Sequence, residues 1–268
     1  MSPTRVRFGL VAPSSKGEAI QALEVVARGI SAHAGVELEP SACATYEALA
    51  ARVNEGSVEA AWLPPIVLVR VGEAVAPLGF VDRGGGGYEA ALVVREDSGI
   101  ESVESLRGTR AGWVDPWSAA GFVMPRVKLA LVGVDPRSLF RTERFHGSHR
   151  AALEALVEGS CDVVGTHAQA NEEGVVASGA WSAIADARVR VLATFGAIPP
   201  DVVAVRADTP APVRASLLEG FRLAAEDAAV RAAMMTVFGG ATLREGRPAG
   251  YAGLESALAF ARERGLFD

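Results

Sequence analysis

Two short segments of this 268-residue chain carry residue types suited to holding an anion. The first reads Asp-Pro-Trp-Ser-Ala-Ala-Gly over Asp115–Gly121, and the second is Gly147-Ser148-His149. Each follows a strand-like run and precedes an apolar helix-like run, so each is expected to form the first turn of a helix. Backbone N–H groups in a first turn have no intrahelical acceptor, and the helix carries about half a positive charge there. The two segments therefore predict a cradle for a small oxyanion.

Each residue of the cradle has a specific expected role. Ser118 offers a hydroxyl, and Ala119 and Ala120 offer their main-chain amides. Serine is also a common N-cap, and capping does not exclude ligand binding. Ser148 offers a second hydroxyl, while His149 is expected to donate a neutral N–H because a helix N-terminus disfavours the imidazolium form. The alternative for His149 is a solvent-facing residue of the first turn.

Composition excludes several function classes. The chain has 26 Lys and Arg residues against 32 Asp and Glu, and no long basic cluster, which argues against a nucleic-acid surface. Cys43 and Cys161 lie far apart and are expected to be buried free thiols, with no metal-type spacing. We find no run of about 18 apolar residues that would enter a membrane. Without a Walker loop or a dinucleotide fingerprint, no cofactor and no metal are expected.

The elements that must position the two segments alternate between strand and helix patterns. This alternation predicts an α/β fold with mainly parallel sheets. Val36–Leu38 is expected to be a short strand, and roughly the last 60 residues are expected to be helical, with a loop at Gly239-Gly240. Ser14 or Ser15 would cap the first long helix. The Gly84–Gly87 run is expected to be a flexible surface turn, or else a flexible segment beside a binding-site opening that opens and closes.

Taken in order, several stretches resemble the phosphate, phosphite and phosphonate group of ABC-transporter substrate-binding proteins. No single motif is strong, but their order and spacing cover most of the chain. The matching stretches are Tyr46–Leu49, Val58–Pro65, Tyr88–Ile100, Ser105–Gly108, Asp115–Gly121, Gly147–His149, Cys161–Gly165 and Ile198–Asp201.

The resemblance implies a two-lobed α/β fold of the type II periplasmic-binding-protein kind, with each lobe a mainly parallel sheet flanked by helices. Lobe one would hold residues 1–90 and 207–268, and lobe two would hold residues 91–206. The ligand would lie in the cleft between them, and closure would be a hinge motion.

The resemblance also implies binding roles for individual residues. Tyr46 and Tyr88 look like two tyrosines that reach the ligand from lobe one. Ser118 looks like a hydroxyl of the anion-binding helix start, and Ser148 with His149 looks like the second clamp. Asp201 looks like the carboxylate that meets a ligand amine. From their positions alone, we add Trp117 as a cleft residue and His167, which follows a strand end, as a further ligand contact; core packing or a loop position is the alternative for each.

The departures from the family pattern shape the expected ligand. Family members carry Ser or Thr at several positions of the first segment, whereas this chain has Trp117, Ala119 and Ala120 around Ser118. With fewer hydroxyl donors, a monoanion, a carboxylate or a ligand with an apolar part fits better than free phosphate.

The resulting hypothesis is that the chain is the solute-binding component of an ABC transporter, without catalysis, that captures a small anion (a phosphonate, a phosphate ester or a related oxyanion) and delivers it to a membrane permease. The alternative is a cytoplasmic enzyme of the lyase type acting on a carboxylate, or a ligand sensor, on the same scaffold. The sequence as written shows no leader, which predicts a cytoplasmic protein; removal of a leader would instead mean a periplasmic or extracellular one.

Overall fold

The structure, a computed structural model, describes residues 4–11, 17–82, 88–171, 173–246 and 248–267. The proposed caps Ser14 and Ser15 and the Gly84–Gly87 run lie outside the described residues. The strands are β1 (Thr4–Val11), β2 (Val36–Cys43), β3 (Ala60–Leu63), β4 (Val75–Asp82), β5 (Tyr88–Arg95), β6 (Arg110–Trp113), β7 (Thr142–Phe145), β8 (Val163–Ala170), β9 (Val176–Gly179), β10 (Val189–Ala197), β11 (Val202–Arg206) and β12 (Thr242–Glu245).

The helices alternate with these strands over most of the chain. They are α1 (Gly17–Ala34), α2 (Tyr46–Asn54), α3 (Pro65–Val71), α4 (Met124–Leu131), α5 (Pro136–Leu139), α6 (His149–Val157), α7 (Ala211–Ala224), α8 (Ala228–Phe238) and α9 (Tyr251–Glu263). A wider π-type turn, Ala119–Val123, leads directly into α4. Short 3-10 turns cover Gly72–Ala74, Glu104–Leu106 and Ala180–Ala183. Within the part of the chain that the structure describes, no helix has the length and apolar character needed to cross a membrane.

The chain forms two compact units. The first comprises Met1–Gly84 and Pro200–Ala249, and its sheet has the strand order β12-β4-β11-β3-β1-β2. Helix α1 packs on this sheet through Leu23, Val26 and Ile30, whose spacing of three to four residues places them on one face. The rings of Phe8 and Phe221, 6.0 Å apart, join strand and helix in the same core.

The second unit comprises Gly85–Pro199 and Gly250–Asp268. Its sheet has the order β10-β5-β8-β6-β7, with β9 paired to β8. Helix α6 packs against β8 through Leu153 and Leu156, in a core that includes Val93 and Val164. This unit contains both segments of the predicted cradle.

The expectation of mainly parallel sheets needs refinement. Strands β1 to β3 are joined by parallel pairings, and β6 is parallel to both β7 and β8. By contrast, β11 is antiparallel to β3 and β4, and β5 is antiparallel to β8 and β10. The physical reason is connectivity: β5 and β11 enter their sheets from the other unit and not through a helical crossover, which is the connection that parallel neighbours need.

The unit boundaries also differ from the expected lobes. Contacts divide the chain after Gly84, Pro199 and Ala249, whereas the expected lobes divided it after residues 90 and 206. Strand β11 belongs to the first unit because it pairs between β3 and β4. Residues 250–268 fall in the second unit, where α9 packs on α4, whereas the expected lobe one keeps residues 207–268 together; the lobe bounds stay a prediction.

Two strands differ from the sequence expectation. β2 continues through Pro40 to Cys43, because β2 is an edge strand of the sheet and an edge strand tolerates proline. β12 interrupts the expected run of C-terminal helices and pairs with β4. Gly240 allows this pairing, since a Cβ at that position would lie 2.4 Å from the carbonyl oxygen of Asp82.

Candidate functional site

The two predicted segments lie side by side at the carboxyl edge of the second sheet. β6 and β7 are parallel neighbours, with Trp113 opposite Phe145 at their last residues. The pairing continues past the strand ends, where His146 N donates to Trp113 O at 2.9 Å and Gly147 N donates to Val114 O at 2.8 Å. The carboxyl edge of such strands is the usual ligand side of an α/β sheet.

The first segment makes a tight turn before its helix. The Asp115 carboxylate accepts a hydrogen bond from Trp117 N at 2.7 Å, and Asp115 O accepts from Ser118 N at 2.9 Å. Ser118 is extended and its Oγ accepts from Gly121 N at 3.0 Å, which is N-capping. By helix geometry, the N–H groups of Ala119 and Ala120 then have no intrahelical acceptor. Ser118 keeps its O–H as a donor, because a hydroxyl can accept and donate at once.

Two glycines bring this turn close to the sheet. A Cβ at Gly121 would lie 2.3 Å from Val114 Cγ2, so only glycine fits. A Cβ at Gly165 of β8 would lie 2.8 Å from the carbonyl oxygen of Gly121 and 2.8 Å from the Trp113 ring. The turn therefore packs directly on β8 at Gly165.

The second segment repeats the capping arrangement. Ser148 is the N-cap of α6, and its Oγ accepts from Ala151 N at 3.1 Å. The Ser148 carbonyl accepts from Ala152 N at 3.0 Å. The main-chain N–H groups of His149 and Arg150 are thus the ones left without an intrahelical acceptor.

The His149 side chain is held by the neighbouring strand. Its Nδ1 lies 2.8 Å from Oγ1 of Thr166, a fully buried residue of β8. When the threonine hydroxyl donates to Nδ1, the proton of the neutral imidazole is on Nε2, which is then a donor for an anion. Because Thr166 follows Gly165, both segments contact consecutive residues of one strand.

Aromatic rings continue the site along β5 and β8. The His167 ring lies edge-on to His149, with centroids 4.7 Å apart. Tyr88 stacks on His167 at 5.1 Å with an interplanar angle of 29°. Trp117 is half-buried beside Ser118. The structure thus brings Tyr88, His149 and His167 into one ring cluster next to the cradle.

The remaining two predicted residues belong to the first unit. Tyr46 begins α2 at the carboxyl end of β2, after the cap Thr45. Asp201 is buried just before β11, and its carbonyl accepts from Val81 N at 3.0 Å. Since β11 is antiparallel to β3 and β4, Asp201 lies at the carboxyl end of those strands. Both residues are therefore at the carboxyl edge of the first sheet, and their part in ligand binding stays a prediction.

Sequence reasoning missed Thr166 and the main-chain amide of Arg150. The sequence predicts a strand over Asp162–Thr166, and a hydroxyl residue at its carboxyl end is a usable signal, although β8 continues to Ala170. Arg150 could have been found from the rule that the first turn leaves several N–H groups available. Among the described residues, no group of three or more His, Cys, Asp and Glu side chains is arranged to hold a metal ion.

His146, just before the cradle, predicts a pH effect on stability. Its pKa is lowered, chiefly by burial and further by the charge of Arg144. His146 therefore binds a proton more readily in the unfolded chain than in the folded protein. Its contribution to the free energy of unfolding is fully present above about pH 6.5 and is lost as the pH falls below that value. We expect His146→Gln to lose less stability than the wild type between pH 7 and pH 5 in urea unfolding.

The matched control for this experiment is His33→Gln, which changes an exposed histidine of α1 in the first unit. It should retain the full loss of stability on acidification. If both variants respond to pH as the wild type does, His146 is not the group responsible.

Comparison with known proteins places the chain in a family context. A family model described as "ABC transporter, phosphonate, periplasmic substrate-binding protein" matches residues 8–251. The phosphate-import protein PhnD of Mycolicibacterium smegmatis is 28% identical over 141 residues. That match covers 48% of this chain and 44% of the relative, so the chain spans less than half of that protein's length.

Solved structures share the fold. A binding protein component of an ABC phosphonate transporter from Pseudomonas aeruginosa superposes with a TM-score of 0.77 at 17% identity, covering 97% of this chain and 87% of that one. PhnD1 of Prochlorococcus marinus, in complex with methylphosphonate, gives a TM-score of 0.76 at 13% identity, covering 99% and 100%. The aliphatic sulphonate binding protein SsuA of Escherichia coli gives 0.62 at 16%, covering 99% and 94%. The fold is that of type II periplasmic binding proteins.

Proposed function

Because the chain belongs to the family of periplasmic substrate-binding proteins of phosphonate ABC transporters, we propose that it binds an organic phosphonate at the edge of its second sheet. The observation that carries this proposal is the convergence of two helix starts on Gly165 and Thr166 of β8. Positive helix ends favour anions, and several available N–H groups there suit the three oxygens of a phosphonate.

The donor set supports an oxyanion. It comprises the main-chain N–H groups of Ala119, Ala120, His149 and Arg150, the hydroxyls of Ser118 and Ser148, and Nε2 of His149. Hydrogen bonds to a charged acceptor are about twice as strong as neutral ones. The donors are held before the ligand arrives, because both serines are fixed as caps and His149 is fixed by Thr166.

The surroundings of the cradle favour a ligand with an organic substituent over inorganic phosphate. The half-buried Trp117 and the stacked pair of Tyr88 and His167 offer ring surfaces beside the donors. The alanines at 119 and 120 provide no hydroxyl for a fourth phosphate oxygen. An alkyl or aminoalkyl group would instead bury apolar surface there.

We further propose that Tyr46 and Asp201 contribute from the first unit, as the resemblance to family members implies. Asp201 would bind an amino group on the ligand, since a carboxylate beside a phosphonate is favourable only when a cation lies between them. The family description also supports a periplasmic location and delivery to a membrane permease, and it favours binding over the lyase alternative.

Calorimetric titration of the purified protein tests the proposal. The ligands are methylphosphonate, 2-aminoethylphosphonate, inorganic phosphate, methanesulfonate and acetate. We expect an organic phosphonate to bind at least tenfold more tightly than phosphate, with acetate weakest. Failure of both phosphonates to bind, together with binding or turnover of a carboxylate, would favour the lyase alternative instead.

A further inference from the structure

A groove with different chemistry lies elsewhere in the second unit. Its volume is about 390 Å³, and its walls come from α4, the end of β10 and α9. The walls are mainly apolar, with Val127, Leu131, Phe195, Leu254 and Phe260 among them. None of the residues that line it belongs to the anion cradle, and none is acidic.

A helical glycine leaves the groove open. Gly253 lies in α9, where glycine is less stable than alanine. Elsewhere in this unit, Gly121 and Gly165 are required by close contacts, but a Cβ at Gly253 would meet nothing within 4 Å. Packing within the described residues therefore does not require glycine here, and the position adds free volume along the groove.

One cation lines the groove. Lys128 is one of two lysines in the chain, and the other, Lys16, lies outside the described residues. It is half-buried on α4, and no ion pair joins it to an acidic side chain among the residues described. The arginine two positions earlier, Arg126, is by contrast paired with Glu143. A lysine with its stem on apolar walls and no acidic partner is complementary to an anionic head group attached to an apolar body.

We propose that this groove binds an amphipathic monoanion, an alkyl or aryl body that packs between α4 and α9 with one sulfonate or carboxylate group at Lys128. A volume of this size with few polar groups is typical of small-molecule sites. The inference is independent of the phosphonate proposal, because the two sites share no residue.

The probe is 8-anilinonaphthalene-1-sulfonate, titrated by fluorescence in the intact protein. Gly253→Leu should weaken its binding more than tenfold, because a Cβ there meets no atom within 4 Å and the longer side chain is expected to occupy groove volume. The matched control is Gly253→Ala, which gives the same gain in helix propensity but little volume and should leave at least half of the affinity.

The role of the Lys128 charge is tested separately. Lys128→Met keeps an apolar stem and should weaken octanesulfonate binding about fivefold, as expected for a partly exposed ion pair, while leaving octanol binding unchanged. Lys128→Arg should retain octanesulfonate affinity. His149→Ala should leave both probes unaffected, which separates this groove from the cradle. Equal probe affinity in wild type and Gly253→Leu, or loss of probe binding in His149→Ala, would overturn the proposal.

Discussion

Replacement of His149 with alanine is expected to weaken phosphonate binding by about 1.5–3 kcal/mol, or roughly 10- to 150-fold. The orientation of the imidazole is set by a buried partner, Thr166, at 2.8 Å. Its Nε2–H would donate to a charged oxygen, and alanine removes that donor while the caps on both helices stay intact. Calorimetry with the tightest-binding phosphonate measures the effect.

Thr166→Val tests whether the hydroxyl works through His149. Valine keeps the shape of threonine but removes the hydrogen bond that orients the ring, so a loss of about 1 kcal/mol in affinity is expected. In a His149→Ala background the same substitution should cost almost nothing, because the two residues act as one unit. A comparable loss in both backgrounds would mean that Thr166 acts on the ligand or on the strand by another route.

Local features of the cradle could be predicted from the sequence because they depend on neighbouring residues. Ser118 and Ser148 are caps that bond to an N–H three residues later. The sequence predicts helices over Gly17–Ala34, Tyr46–Asn54 and His149–Val157, and α1, α2 and α6 have these bounds.

Features that depend on distant pairing could not be predicted. Thr166 and His149 are 17 residues apart in the sequence but form a contact in the structure. No pattern in either segment indicates which strand lies beside which helix. β12 exists because β4 offers a free edge, and its sequence has no strong strand signal of its own. The assignment of β11 to a unit also depends on distant pairing, because β11 has the pattern of any short strand until its two antiparallel neighbours are known.

The second large effect is expected from Glu143→Ala, which should lower the free energy of unfolding of the second unit by about 3 kcal/mol. Arg126 of α4 is 4% exposed and Glu143 of β7 is 28% exposed, and the two form an ion pair. The same carboxylate accepts from Trp113 Nε1 at 2.6 Å, while Arg126 Nε donates to Leu266 O at 2.8 Å. Removing the carboxylate leaves a buried guanidinium without its countercharge.

Urea unfolding followed by circular dichroism and tryptophan fluorescence measures this loss. The matched control is Glu154→Ala, which breaks an exposed ion pair with Arg150 on α6 and should cost less than about 0.5 kcal/mol. The double variant Arg126→Met, Glu143→Leu should be more stable than Glu143→Ala, because it removes the unpaired charge as well. If the double variant is the less stable of the two, lost contacts and not charge burial are the cause.

This ion pair also bears on the cradle. Trp113 ends β6 before the first segment, Glu143 lies on β7 before the second, and Arg126 lies on α4 after the first. One carboxylate therefore connects the three elements that set the positions of both helix starts. Glu143→Ala should weaken phosphonate binding even without urea and at a temperature where the protein is fully folded, whereas Glu154→Ala should not. Unchanged affinity in folded Glu143→Ala would mean that the parallel pairing of β6 and β7 positions the two segments without help from the ion pair.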